Sequence, residues 1–163
     1  MSKTQFVRYG SRGFWAYDVA LGIFLKHLID TAVVSDQANT PWLSSAISSW
    51  REVACISDYG LTLDPNWSVA QRQIFIALAE GACSTLAARE SIPAEEIVAW
   101  PLLEDLHIFP RGKPEVFTGP VVELGRAIIA LVSEDLPEAP PGQDWFYGTP
   151  TGRGTIGRHK SYR

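Results

Sequence analysis

Apolar residues recur at helical spacing over most of the chain. The longest such run extends from Gly13 to about Val34, where apolar side chains occupy one wide face at 100° per residue and charged side chains occupy the other. An apolar face this wide is typical of a helix that other elements surround. We therefore expect a central helix over residues 13–34.

Two further helix starts are marked by capping residues. Thr40 suits an N-cap, and Pro41 suits the first helical position, where no amide hydrogen is needed. Ser68 and Gln71 have the spacing of a capping box, which satisfies two backbone N–H groups at a helix start. These patterns predict a second helix from residue 41 and a third over about 69–90.

Shorter patterns complete the chain. We expect a short helix from Pro93, a loop over residues 110–119 with a short extended piece at Val116–Phe117, and a last helix from Pro120, which a proline-rich connector ends. Residues 5–9 and 145–147 are the two short strand candidates. Because helical periods dominate, the sequence predicts an all-α fold, a compact domain of about four to six helices with at most one short β ribbon.

Length and composition fit one folded unit. A chain of 163 residues with 46% hydrophobic and 20% charged residues can bury a core and is not globally disordered. We expect a helical domain over residues 1–144 and a basic, glycine-rich extension over residues 145–163. If the extension is ordered, Trp145, Phe146 and Tyr147 are its expected anchors.

Charge is distributed unevenly along the chain. The formal net charge is −4, yet residues 1–13 carry +3 and residues 145–163 carry +4, which leaves −11 on the residues between. An acidic body repels phosphate, so nucleic acid is an unfavourable partner. The basic ends either fold back onto the acidic body or reach a separate acidic partner.

The sequence favours a cytoplasmic location. Cys55 and Cys83 lie far apart and form neither a metal-binding pair nor a disulfide framework, which is typical of a reducing compartment. Asp18 interrupts the apolar run near the start of the chain. That run is also too short to cross a bilayer, so we expect no membrane anchor.

A glycine string near the end of the chain has the spacing of a dinucleotide-binding fingerprint. It comprises residues 152–157, G-R-G-T-I-G, but Pro150 interrupts the approach and only six residues follow. A working fingerprint lies between a strand and a helix. We therefore expect no nucleotide and no other cofactor. Arg153 and Arg158 could still hold an isolated phosphate or carboxylate group; otherwise this end is simply solvated.

Asp18 is the most unusual single residue. On the predicted first helix it falls near the middle of the apolar face, where a carboxylate is costly unless it is paired or protonated. Two interpretations stay open. Asp18 is either the polar centre of a helix-lined pocket or the structural partner of an arginine, a Trp N–H or a Tyr hydroxyl. The candidate arginines are Arg8, Arg12 and Arg126.

A second group of candidate binding residues lies between positions 95 and 107. It comprises Glu95, Glu96, Trp100, Glu104, Asp105 and His107. No second histidine at metal-ligand spacing accompanies them, and the chain has no P-loop or nucleophile motif. The segment therefore favours binding over metal chemistry.

These observations favour a non-catalytic protein-binding module. Its acidic surface would steer and then cover a basic protein partner, as an intracellular inhibitor of the immunity-protein type does. The alternative is a small-ligand-binding protein or an enzyme with a helix-lined pocket centred on Asp18. A third possibility is a phosphate or nucleic-acid contact made by the basic extension alone.

Overall fold

The computed structural model describes residues 4–158 and has a mixed α/β fold. In chain order the elements are β1 (Thr4–Tyr9), β2 (Arg12–Tyr17), α1 (Asp18–Val33), α2 (Pro41–Cys55), β3 (Leu61–Leu63), α3 (Val69–Ala87), β4 (Ser91–Pro93), α4 (Ala94–Ala99), β5 (Glu115–Phe117), α5 (Thr118–Val132), β6 (Gln143–Tyr147) and β7 (Gly154–Gly157).

Five of the strands form one mixed sheet in the order β3-β1-β2-β6-β7. β1 is antiparallel to β2 and parallel to β3, while β6 is parallel to β2 and antiparallel to β7. β4 and β5 form a separate antiparallel pair. The prediction of an all-α fold is therefore wrong.

The error arises in the segment that leads into α1. Residues 13–17, which helical spacing assigns to the first helix, belong to β2. Gly10, at φ +63°, and Ser11 connect β1 to β2 in a two-residue turn, and Gly-Ser is a favoured sequence for a type II′ hairpin. Phe14 and Ala16 are buried while their neighbours are less so. This period-2 pattern is hidden because the surrounding run is apolar at almost every position.

The helices that follow lie close to their predicted positions. α2 begins at Pro41, and the capping box before α3 is confirmed, since the Gln71 N–H lies 3.1 Å from Ser68 Oγ and the Ser68 N–H lies 2.9 Å from Gln71 Oε1. α5 begins two residues before Pro120, at Thr118.

α1 forms the centre of the core. All but four of its residues are buried, and it contacts α2, α3 and α5. The expectation of a central helix is confirmed for residues 18–33. Within residues 4–158, no helix combines the length and the apolar character that crossing a membrane requires.

The glycine-rich end of the described chain joins the sheet. β6 pairs with β2 on one side and with β7 on the other. Trp145 and Tyr147 pack on the core, as expected of anchors. The division into a domain over 1–144 and an extension over 145–163 stays a prediction. Lys3, Lys160 and Arg163, which contribute to the basic ends, lie outside the described residues.

Candidate binding pocket

An apolar pocket of about 220 Å³ opens where α1 and α5 begin. One wall is formed by Tyr17 and the first turn of α1, and the facing wall by the residues from Lys113 to Phe117. Gly148 and Pro150 also line the pocket. Apart from the Tyr17 hydroxyl and the Lys113 and Glu115 side chains, the lining is apolar, which suits an apolar group from outside the chain.

The N-cap residues of both helices line this pocket. Tyr17 precedes α1 and Phe117 precedes α5, and neither side chain makes a capping hydrogen bond. Ser, Thr, Asp and Asn are preferred at this position because their side chains accept a backbone N–H bond. Phe117 is also 53% exposed. An exposed phenylalanine at an N-cap lowers helix stability relative to a polar residue, so its presence calls for another explanation.

Thr118 shows why α5 begins with an aromatic cap. Thr118 has a hydroxyl that could cap a helix, but this threonine is buried inside the first turn of α5. Its hydroxyl donates to the backbone carbonyls of Arg89 and Glu90, which leaves the N-cap position to Phe117. The α3–β4 connection is thereby tied to the start of α5.

Asp18 lies directly beside the pocket, at the first position of α1. Its carboxylate accepts hydrogen bonds from Arg111, whose Nε lies 3.1 Å from each of its oxygens, and from the Ser57 hydroxyl at 3.0 Å. The expected arginine partner is present, but it is Arg111 rather than Arg8, Arg12 or Arg126. This ion pair holds the loop before β5 against the start of α1.

The pair also influences the tyrosine on the pocket wall. Burial raises the pKa of Tyr17, and the adjacent negative charge of Asp18 raises it further, while Arg111 acts in the opposite direction. Tyr17 therefore stays neutral at physiological pH. It presents an aromatic ring with a hydroxyl group that can donate a hydrogen bond.

Two backbone positions shape the pocket. Gly148 has φ +93°, and a Cβ atom placed there would lie 2.7 Å from the Cβ of Ala20, so only glycine permits this approach to α1. Arg111 has φ +55°, a conformation that costs a non-glycine residue free energy. Its ion pair with Asp18 offsets that cost.

The predicted acidic residues are divided between two elements. Glu95 and Glu96 lie in the first turn of α4, where Glu95 is exposed and Glu96 binds both terminal nitrogens of Arg89, at 2.6 and 2.9 Å. Glu104 and Asp105 are exposed in the loop that leads to the pocket wall. They are not gathered into one carboxylate site.

Trp100 and His107 have local roles. The Lys26 ammonium lies 4.6 Å from the centre of the Trp100 ring, and the His27 ring packs against its edge. His107 Nδ1 donates to the backbone carbonyl of Ile108, and its ring packs against Phe109. Within residues 4–158 no three His, Cys, Asp or Glu side chains are grouped as a metal site requires.

The two basic candidates near the end of the chain face acidic or aromatic groups of the body. The Arg153 guanidinium lies 4.2 Å from the centre of the Trp145 ring, and its backbone N–H donates to Glu123. Arg158 pairs with the buried carboxylate of Asp144 at 3.0 Å. These contacts favour the interpretation in which the basic end folds back onto its own domain.

Two further concave regions are less suited to a partner. A groove of about 530 Å³ beside the proline-rich segment 136–142 is mainly polar, and its Arg12 and Arg158 side chains already bond to Leu136 and Asp144. A third, of about 260 Å³, lies beside a cluster of tryptophans whose rings pack on one another and on Phe75. Those rings therefore pack as part of the hydrophobic core.

Sequence reasoning missed most of the pocket-lining residues. Helical spacing assigns Tyr17 to a helix face, although it ends β2. The expected extended piece at Val116–Phe117 is present in β5, but its place on a pocket wall is not predicted. One signal was available, because four prolines surround the pocket although they are dispersed in sequence: Pro110, Pro114, Pro120 and Pro150. Prolines hold a concave loop surface open at little entropic cost.

Comparisons with known proteins do not indicate what this pocket binds. Comparison with protein-family models, with curated proteins and with solved structures gives no match for this chain.

Proposed function

We propose that this protein is a non-catalytic binding module that receives an apolar side chain of a basic protein partner in the pocket between α1 and β5. The observation that carries the proposal is Phe117, an exposed aromatic residue at an N-cap where a polar residue would stabilise the helix more. Exposed aromatics beside an apolar depression are typical of contact sites.

The size of the pocket favours a single side chain over a whole ligand. Small-molecule sites usually occupy about 300–1,000 Å³, whereas this pocket has about 220 Å³. An apolar cavity of about 150 Å³ can hold a benzene ring. One aromatic or branched aliphatic side chain therefore fits.

Charge favours a basic partner. Residues 4–158 contain 18 Asp and Glu residues against 11 Lys and Arg residues, a formal net charge of −7. On the pocket wall Glu115 is accompanied by Lys113, and Glu104 and Asp105 are exposed in the loop that precedes this wall. A negative surface attracts a cationic partner and raises its association rate, while the apolar anchor slows dissociation.

The binding would act by occlusion, as an inhibitor does. The alternative of a ligand or catalytic pocket centred on Asp18 has less support, since Arg111 and Ser57 occupy its carboxylate. Cys55 and Cys83 are both free thiols. Their state supports the proposal that the protein works in the reducing cytoplasm.

Selection from a random dodecapeptide phage library on the immobilised protein tests the proposal. We expect selected peptides to combine an aromatic or branched aliphatic residue with a net positive charge, and to bind more weakly as salt increases. Phe117→Ser should weaken their binding by about tenfold or more.

Tyr59→Ser is the matched control, because Tyr59 is also about half exposed but does not line the pocket. Selection of acidic or wholly polar peptides would contradict the proposal. An equal loss of affinity in the Phe117 and Tyr59 variants would contradict it as well.

A further inference from the structure

The β4–β5 pair has one edge that is open to another strand. Backbone bonds from Thr118 N–H to the Glu90 carbonyl and from Ala94 N–H to the Pro114 carbonyl flank the pair, and Ile92 lies opposite Val116. In an antiparallel ladder, hydrogen-bonded residues alternate with residues whose N–H and C=O groups point away from the partner strand.

Glu115 and Phe117 occupy the alternate positions of β5. The N–H and C=O groups of Glu115 and the N–H group of Phe117 therefore point away from β4. Among residues 4–158, no backbone group from outside the β4–β5 ladder bonds to these three groups. The Phe117 carbonyl differs, because an N-cap carbonyl faces the first turn of its helix.

The opposite edge of the pair is blocked. On β4 the outward positions are Ser91 and Pro93, and a proline has no N–H group to donate to a further strand. Proline at an edge position is a common device against strand addition. β5 has no such protection, and its residues form one wall of the apolar pocket.

We infer that the partner binds as an extended segment that adds a third strand to the β5 edge. Its backbone would pair with Glu115 and with the Phe117 N–H, and side chains on one face of the added strand would include the apolar anchor. A Lys or Arg on the segment would lie near the Glu115 carboxylate. The inference rests on the proposed function and specifies the conformation of the bound partner.

Backbone methylation of a selected peptide tests this binding mode. The probe is the tightest dodecapeptide from the library selection, resynthesised with one N-methyl group at each residue in turn. Because Glu115 offers the one outward carbonyl of β5, we expect about tenfold weaker binding at the single residue whose N–H donates to it. We expect little change at the two neighbours of that residue, whose N–H groups point away from β5. A peptide bound as a helix would be weakened at several consecutive residues, and that result would overturn the inference.

A substitution in the protein gives a second measurement. Glu115→Pro removes one outward N–H group but spares the ladder to β4, and Glu115→Gln removes the same charge while keeping the N–H group. We expect Glu115→Pro to bind the probe about tenfold more weakly than Glu115→Gln. Equal binding by the two folded variants would overturn strand addition.

The two proposals fail in different ways. If the library yields no peptide with an apolar anchor and a positive charge, the proposed function fails, and the inference fails with it. If such peptides bind and lose affinity on Phe117→Ser, but methylation shows no single sensitive residue between two insensitive ones, only strand addition fails.

Discussion

The guanidinium group of Arg111 binds both carboxylate oxygens of Asp18, across 93 positions of the chain. The Asp18 side chain is almost fully buried and that of Arg111 is mostly buried. The pair fixes the long loop between α4 and β5 to the first residue of α1. It thereby positions the facing walls of the pocket relative to each other.

Removal of the Asp18 charge should destabilise the fold. Asp18→Asn removes the negative charge that faces the Arg111 guanidinium in a mostly buried site, and breaking such a pair costs about 3 kcal/mol. Urea unfolding measures the change in the free energy of unfolding. Asp30→Asn is the control on the same helix, because its pair with Lys26 is more exposed and contributes less than about 1 kcal/mol. Equal losses in the two variants would contradict a structural role for Asp18.

Replacing the aromatic N-cap of α5 should make the protein more stable. Phe117→Asp supplies an oxygen acceptor for the first-turn N–H groups of α5 and a negative charge beside the positive end of the helix dipole. Because the phenyl ring is about half exposed, little apolar burial is lost. We expect the free energy of unfolding to rise by about 1 kcal/mol, or the Tm by about 2–4 °C.

Tyr59→Asp separates the capping effect from the loss of an exposed aromatic ring. Tyr59 is 50% exposed and precedes no helix in the described residues, so this change should not raise the Tm. A Phe117→Asp variant that is less stable than the native protein would show that Phe117 serves the fold. In that case the exposure of Phe117 would not indicate a contact site for a partner.

The parts of the fold that the sequence predicts are those whose local signals agree with the tertiary environment. Pro41 and the Ser68–Gln71 box define helix starts by satisfying backbone groups locally, whatever lies around them. The strand candidate over residues 5–9 corresponds to β1. Its partner β2 is not predicted, although Gly10-Ser11 is a turn signal, because the apolar residues after the turn also match a helical period. Strand β3, with three residues, is too short to show any period.

The candidate site could be predicted only in part. A buried charge at Asp18 indicates that the carboxylate has a partner. Which residue is the partner depends on how a loop 93 positions away folds, and the spacing of residues in the sequence does not determine that fold. The pocket is formed by residues that are ordinary in isolation. Tyr17 and Phe117 become unusual only when the helix boundaries are known to one residue, and sequence patterns do not reach that precision.

Stability should fall in mildly acidic solution because of His27. Burial lowers its pKa below the ordinary value of 6.5, and the nearby Lys26 and Arg89 act in the same direction, against the Ile23 carbonyl and Asp30. The unfolded state therefore takes up a proton at a pH where the folded state does not. The contribution of neutral His27 to the free energy of unfolding is fully present above pH 6.5. It is lost as the pH falls, by at most about 1.4 kcal/mol per pH unit.

Urea unfolding between pH 7 and pH 5 measures this loss. We expect His27→Gln, whose amide can still donate to the Ile23 carbonyl, to flatten the dependence on pH. His107→Gln removes an imidazole from the pocket-side loop and is the control. If the native protein and the His27 variant show the same dependence on pH, the burial of His27 does not govern it.

Amide exchange can decide whether the glycine-rich end is a strand or a solvated segment. β7 pairs with β6 so that Ile156 lies opposite Asp144, and the Arg158 N–H donates to the Gly142 carbonyl at 2.7 Å. In this register the Ile156 amide bonds to β6, and the Thr155 amide points away. We therefore expect hydrogen exchange, followed by NMR, to be slower at Ile156 than at Thr155. A solvated end would exchange rapidly at both positions, and the glycine spacing would then have no role in the sheet.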